Sequence, residues 1–105
     1  MASASITRAE SGGVNMTRHL TCIENVERLV DILCEHGCRG NFFIQLNGGA
    51  RSSKRIRYDH RRETIHITNE IDGSRQVLTS DELMDPSHTN IGTAIRAGAF
   101  YHRAP

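Results

Sequence analysis

Three cysteines and the histidines around them are the residues best equipped for chemistry in this chain. His19, Cys22, Cys34, His36 and Cys38 spell H-x2-C followed by C-x-H-x-C, a set of thiol and imidazole groups of the kind that holds zinc. Their spacing argues against one shared ion. Val26, Leu29, Val30 and Leu33 recur at helical intervals, Thr21 and Glu24 have capping-box spacing, and Gly37 supplies a left-handed stop, which predicts a helix over 22–36. Cys22 and Cys34 would then stand at opposite ends of it, roughly 18 Å apart at 1.5 Å rise per residue. Ligands of one tetrahedral zinc lie only about 4 Å from one another. No metal set is expected. Cys38 as a nucleophile stands beyond the helix C-terminus, the wrong end of the dipole for a thiolate. His36 is the base the sequence offers it, and no third group to orient that base is visible. The carboxylates Asp81 and Glu82 open a helical turn, where acidic residues serve capping and the dipole. No catalytic residue and no cofactor are expected.

A second stretch, NGGARSSKRIR at 47–57, has the parts of an anion site. Adjacent glycines with free amides are followed by the donors Arg51, Ser52, Ser53 and Lys54. It is not a P-loop: the G-x-x-x-x-G-K-[ST] pattern is absent, and the next segment reads as a strand, so no helix N-terminus adds its dipole. Asn47-Gly48-Gly49 is explained more simply as a turn that needs positive φ.

The strand after that turn carries the candidate surface. In KRIRY, period-two alternation puts Arg55 and Arg57 on the face opposite Ile56 and Tyr58. Arg51, Arg61 and Arg62 flank the same strand, and His66 reaches outward from the next one. Such a ridge can contact phosphates, but it lacks the aromatic platform on which single-strand binders stack bases. Partner- or anion-binding residues are therefore expected at Arg51, Ser52, Ser53, Lys54, Arg55, Arg57, Arg61 and Arg62.

Positioning these residues falls to a small α+β domain. Helix 22–36 is followed by four alternating runs near 41–46, 53–58, 64–71 and 75–79, connected by NGGARS, the DHRR corner and the Asp72-Gly73 hairpin signal. Thr79 and Glu82 repeat the capping-box spacing before a short helical turn, and Thr89 or Asn90 opens a last helix that Gly98 ends. The expected architecture is a single two-layer domain, α-β-β-β-β-α. A four-stranded antiparallel sheet in order 1-2-3-4 would lay Phe42, Ile44, Leu46, Ile56, Tyr58, Ile65 and Ile67 against the helices. Residues 1–20 are polar and lack a hydrophobic period, so they read as a flexible arm preceding the domain at 21–105.

Charge and composition bound the function. The chain has 105 residues and a net charge of +1, which gives no global field for steering. Yet residues 51–62 hold six cations against Asp59 alone, and residues 63–90 hold six carboxylates against Arg75. Folding can set these blocks face to face, as an internally paired sheet, or apart, as a basic patch. Twelve of thirteen cations are Arg, the planar bidentate donor, a bias that a GC-rich genome also produces. No apolar run approaches the roughly 20 residues of a membrane span and no secretory signal is visible, so a cytoplasmic protein without membrane contact is expected. In that compartment a Cys34–Cys38 disulfide is disfavoured. These readings converge on a small non-enzymatic binding or regulatory module of bacterial or mobile-element type. Its basic hairpin would contact an acidic protein surface, a nucleic acid or a second copy of the chain. The alternative from another class is a small phosphate- or nucleotide-binding enzyme centred on Gly48 to Lys54.

Overall fold

In the computed structural model, which describes residues 20–104, six strands form one antiparallel sheet and three helices cover one face of it. The elements in chain order are β1 (Leu20–Cys22), α1 (Val26–Glu35), β2 (Arg39–Ile44), β3 (Ser52–Asp59), β4 (Thr64–Asn69), β5 (Arg75–Leu78), α2 (Ser80–Leu83), α3 (Ile91–Arg96) and β6 (Phe100–Arg103). In space the strands run β1-β6-β2-β3-β4-β5. The expected meander is there as β2 to β5, but the sheet has six strands, not four. Its two additional strands come from the ends of the described chain: β6 inserts between β1 and β2, pairing antiparallel with both. The expected arm over 1–20 falls outside the described residues except for Leu20, which belongs to β1.

Assigning Thr21 to a helix start is corrected by the same strand. Thr21 and Cys22 pair with His102 and Tyr101, and α1 begins only at Val26, where Asn25 is the cap and its side chain accepts the Arg28 N–H at 2.8 Å. A side-chain acceptor is what an exposed helix start needs, and Asn meets the requirement as well as Thr. The other end is as expected: Gly37 adopts φ +76, and the Cys38 N–H turns back onto the Leu33 carbonyl at 2.7 Å. Thr79 and Glu82 form a reciprocal capping box at the start of α2.

Alternation explains which face is covered. Phe42, Ile44, Ile56, Ile65, Ile67 and Leu78 point inward and meet Leu29, Ile32 and Leu33 of α1, Leu83 of α2 and Ile91 and Ile95 of α3 in one core. Leu46, expected on this face, lies at a turn beyond the end of β2 and is exposed. Phe100 of β6, stacked on Phe42 at 5.5 Å, supplies apolar volume in its place. No helix among the described residues is long and apolar enough to cross a membrane.

Candidate functional site

The face opposite the helices is open, and its register can be read row by row. One row crosses five strands as Arg103, Asn41, Arg55, Thr68 and Arg75; the next, two residues along, runs Arg39, Arg57, His66 and Val77. Strands lie about 4.8 Å apart, so Arg103 and Arg75, four strands from each other, span about 19 Å. Together the rows line a shallow trough of about 900 Å³. Five of its lining residues are arginines, and all five are exposed.

Placement of the expected residues divides them. Arg55 and Arg57 occupy the middle of the trough, as alternation requires. Arg51 sits at its margin, with its guanidinium 4.3 Å above the Phe43 ring and its Nε donating to Gln45 Oε1 at 3.3 Å. Ser53 shares the open face beside Phe43, whereas Ser52 lies on the helix side. Lys54 does not join the surface. It follows the Ile56 and Tyr58 parity onto the covered face, opposite Phe42 and Asn69, and is buried. Arg61 and Arg62 are at the β3–β4 corner, where Asp59 accepts both of their backbone N–H groups and the Arg62 guanidinium at 3.2 Å. They belong to a turn network away from the rows. The loop at 47–49 is a tight turn: Asn47 and Gly48 both adopt positive φ, and the Gly49 N–H donates to the Leu46 carbonyl at 2.8 Å. An amide committed in this way is not free for a phosphate.

Three guanidiniums of the trough are not among the residues expected from sequence. Alternation is enough to find two of them, because parity from the buried Phe42 and Leu78, each three residues away, assigns Arg39 and Arg75 outward. Arg103 carries no such signal: FYHR is four residues long and comes directly after a helix stop, so nothing local marks it as a strand.

Electrostatics decide whether the rows are neutralised from within. Arg55 Nη2 pairs with Glu70 Oε2 at 2.7 Å, and Arg57 Nη2 donates to His66 Nδ1 at 3.1 Å. Among the described residues, no carboxylate pairs with Arg39, Arg57, Arg75 or Arg103. Apart from Glu70, carboxylates of the acidic block are occupied locally: Asp72 accepts the Ser74 N–H, Asp85 the Ser87 N–H and Glu82 the Thr79 N–H. Those backbone hydrogen bonds hold the Asp72 and Asp85 carboxyls below the ordinary carboxylate range. Glu27, Asp31, Glu35, Asp81 and Glu82 lie on α1 and α2, so the helical layer is acidic and the open sheet face basic. A net charge of +1 conceals that separation.

Cysteine placement corrects the helix-length argument. Cys22 is on β1, not in α1, so its distance from Cys34 does not follow from the rise of a helix. Its sulfur lies 3.7 Å from the Gly98 carbonyl, while Cys34 and Cys38 sit at the far end of α1 with other neighbours. No family model, curated protein or solved structure matches this chain.

Proposed function

We propose that the protein is a non-enzymatic binding module that holds nucleic acid on the open face of its sheet, through the phosphate backbone. The observation that carries this reading is the direct cross-strand pairing of Arg39 with Arg57, flanked by Arg55, Arg75 and Arg103; among the described residues, Glu70 on Arg55 is the one carboxylate paired with any of the five. Like charges placed opposite one another weaken a sheet. A polyanion laid across the rows removes the repulsion and gives each planar guanidinium a bidentate acceptor.

Two features favour a phosphate polymer over an acidic protein. The core of a protein interface is usually apolar and aromatic, but the large exposed apolar side chains among the described residues are Leu46, Ile71 and Val77, and of these Val77 alone lies in the rows. Phe43, although on the open side, is buried beneath Tyr101 and Arg51. That burial takes Phe43 out of base stacking and leaves the half-buried Tyr101 ring engaged with it, so recognition would run mainly through phosphates and sugars with little dependence on sequence.

Fluorescence anisotropy with a mixed-sequence duplex, the corresponding single strand and a polyglutamate of similar charge tests this reading. Binding of a nucleic acid in the micromolar range near physiological salt, with polyglutamate a weak competitor, is the expected result. If neither nucleic acid binds more tightly than about 100 μM, the weak end of ordinary non-specific affinity, the reading fails. Equal competition by polyglutamate would favour an acidic protein surface, and salt-labile oligomers of the free chain would favour contact between the basic face and the acidic helices of a second copy.

A further inference from the structure

Both cysteines at the C-terminal end of α1 point at one imidazole. Cys38 Sγ lies 2.9 Å from His60 Nε2, and Cys34 Sγ lies 3.9 Å from the same nitrogen. The sulfurs also act on each other. Desolvation and then the neighbouring Cys38 sulfur, acting as a charge and as a hydrogen-bond partner, push the Cys34 thiol up.

Backbone geometry builds this cluster. After Gly37, Cys38 itself adopts a left-handed φ of 64°, a conformation that a residue with a Cβ seldom takes unless its surroundings hold it. Here they do: the Cys38 N–H donates to the Leu33 carbonyl at 2.7 Å, and the Cys38 carbonyl accepts the Tyr58 N–H at 2.8 Å. His60 stands in the β3–β4 corner with its ring against Tyr58, 5.0 Å between centroids and near perpendicular. The helix end and the sheet corner are thus pinned together at the two sulfurs. Cys34 and His60 are exposed and Cys38 is half-buried, so a small molecule can reach all three.

We propose that Cys34, Cys38 and His60 form a thiol–disulfide exchange site that reacts with small disulfides of the glutathione class and closes a Cys34–Cys38 bond. Cys38 is the attacking thiol because it lies nearest the base. Its proton passes to His60 Nε2, and the thiolate attacks one sulfur of the small disulfide. That S–S bond breaks, a Cys38 mixed disulfide forms, and the departing thiolate takes the proton back from His60. Cys34 then loses its proton to the same nitrogen and attacks Cys38 Sγ, expelling the second small thiol as a thiolate that takes this proton from His60. Two electrons move from the protein dithiol to the small disulfide, which leaves as two thiols. A transient bond of this kind is compatible with a reducing compartment, where exchange sites occur although structural disulfides are rare.

Cys22, exposed and with its sulfur against a backbone carbonyl instead of an imidazole, is the internal reference. The full chain, treated with oxidised glutathione at neutral pH, quenched and mapped by mass spectrometry, should lose the Cys38 thiol about fivefold or more faster than the Cys22 thiol. It should end with a Cys34–Cys38 bond. Cys34→Ser should trap glutathione on Cys38, and His60→Asn should bring the Cys38 rate down to that of Cys22. The comparison of Cys38 with Cys22 is made within one wild-type molecule, so it holds even where a variant fails to fold. The proposal is overturned if Cys38 reacts no faster than Cys22, or if glutathione stays on Cys38 with Cys34 free. One zinc per chain that shields both thiols would also overturn it, making them metal ligands.

Discussion

Arg39 of β2 and Arg57 of β3 stand directly opposite each other on the open face of the sheet, and no carboxylate pairs with either among the described residues. Directly opposed side chains in an antiparallel pair have Cβ atoms about 5 Å apart, close enough for like charges to weaken the ladder. Arg57 has some relief from His66 Nδ1, which accepts from its guanidinium. Arg39 has none from a side chain among the described residues.

Arg39→Gln should therefore stabilise the free protein, by a few tenths to about 1 kcal/mol, while weakening any polyanion complex. Urea denaturation at low salt measures the first effect. A variant no more stable than the wild type would mean that the pair is already neutralised in solution.

Gly92 marks where the helical layer is closest. A Cβ there would come 2.6 Å from Met84 Cα and 2.9 Å from the Leu83 carbonyl oxygen, both backbone atoms that cannot swing aside. Gly92→Ala raises intrinsic helix propensity by about 1 kcal/mol, yet overpacking of this kind typically costs about 1 to 3 kcal/mol. A lower thermal midpoint is expected, and a higher one would show that α2 and α3 pack less closely than described.

His102 sets a dependence on pH. It is buried between the rings of Phe42 and His36, at 4.9 and 5.0 Å, facing Arg28 and Glu35 of α1. Burial first, then the charges of His36 and Arg28, hold its pKa below the usual 6.5, against a smaller opposing effect of Glu35. The unfolded chain takes up this proton at the higher pH, so in the window below 6.5 it binds more protons than the folded protein. Stability is then lost as pH falls through that window. The urea midpoint should drop between about pH 7.5 and pH 5.5, and His102→Gln should flatten the drop. An unchanged slope in that variant would assign the effect to other histidines.

Much of this fold is legible from period alone. Phe42, Ile44, Ile56, Ile65 and Ile67 alternate strongly enough to fix β2, β3 and β4 and the face they bury, and Thr79 with Glu82 marks the start of α2 through a mechanism that acts within four residues. The features that stay hidden depend on distant partners. LTC and FYHR are too short to carry a period: FYHR becomes a strand because β2 supplies it with a ladder, and LTC because FYHR then does the same for it. Lys54 illustrates the converse. It belongs to a basic run in the sequence, yet the alternation that sends Arg55 and Arg57 outward sends Lys54 inward. His60 and Cys38 are separated by a complete hairpin, so no local spacing joins them.

The paired arginines also supply the most direct test of the sheet face as a nucleic-acid surface. Each phosphate neutralised on a duplex releases condensed counterions and contributes about −0.9 to the slope of log K against log salt, or about −0.7 on a single strand. The measurement is that slope for the wild type and for the Arg39→Gln, Arg57→Gln double variant, over about 50 to 200 mM salt, with folding of both checked by circular dichroism. A wild-type slope of about −3 to −4, flattened by about one to two units in the variant, is the expected result. A folded double variant with the wild-type slope and affinity would contradict it, and would mean that Arg39 and Arg57 face solvent and bind no phosphate.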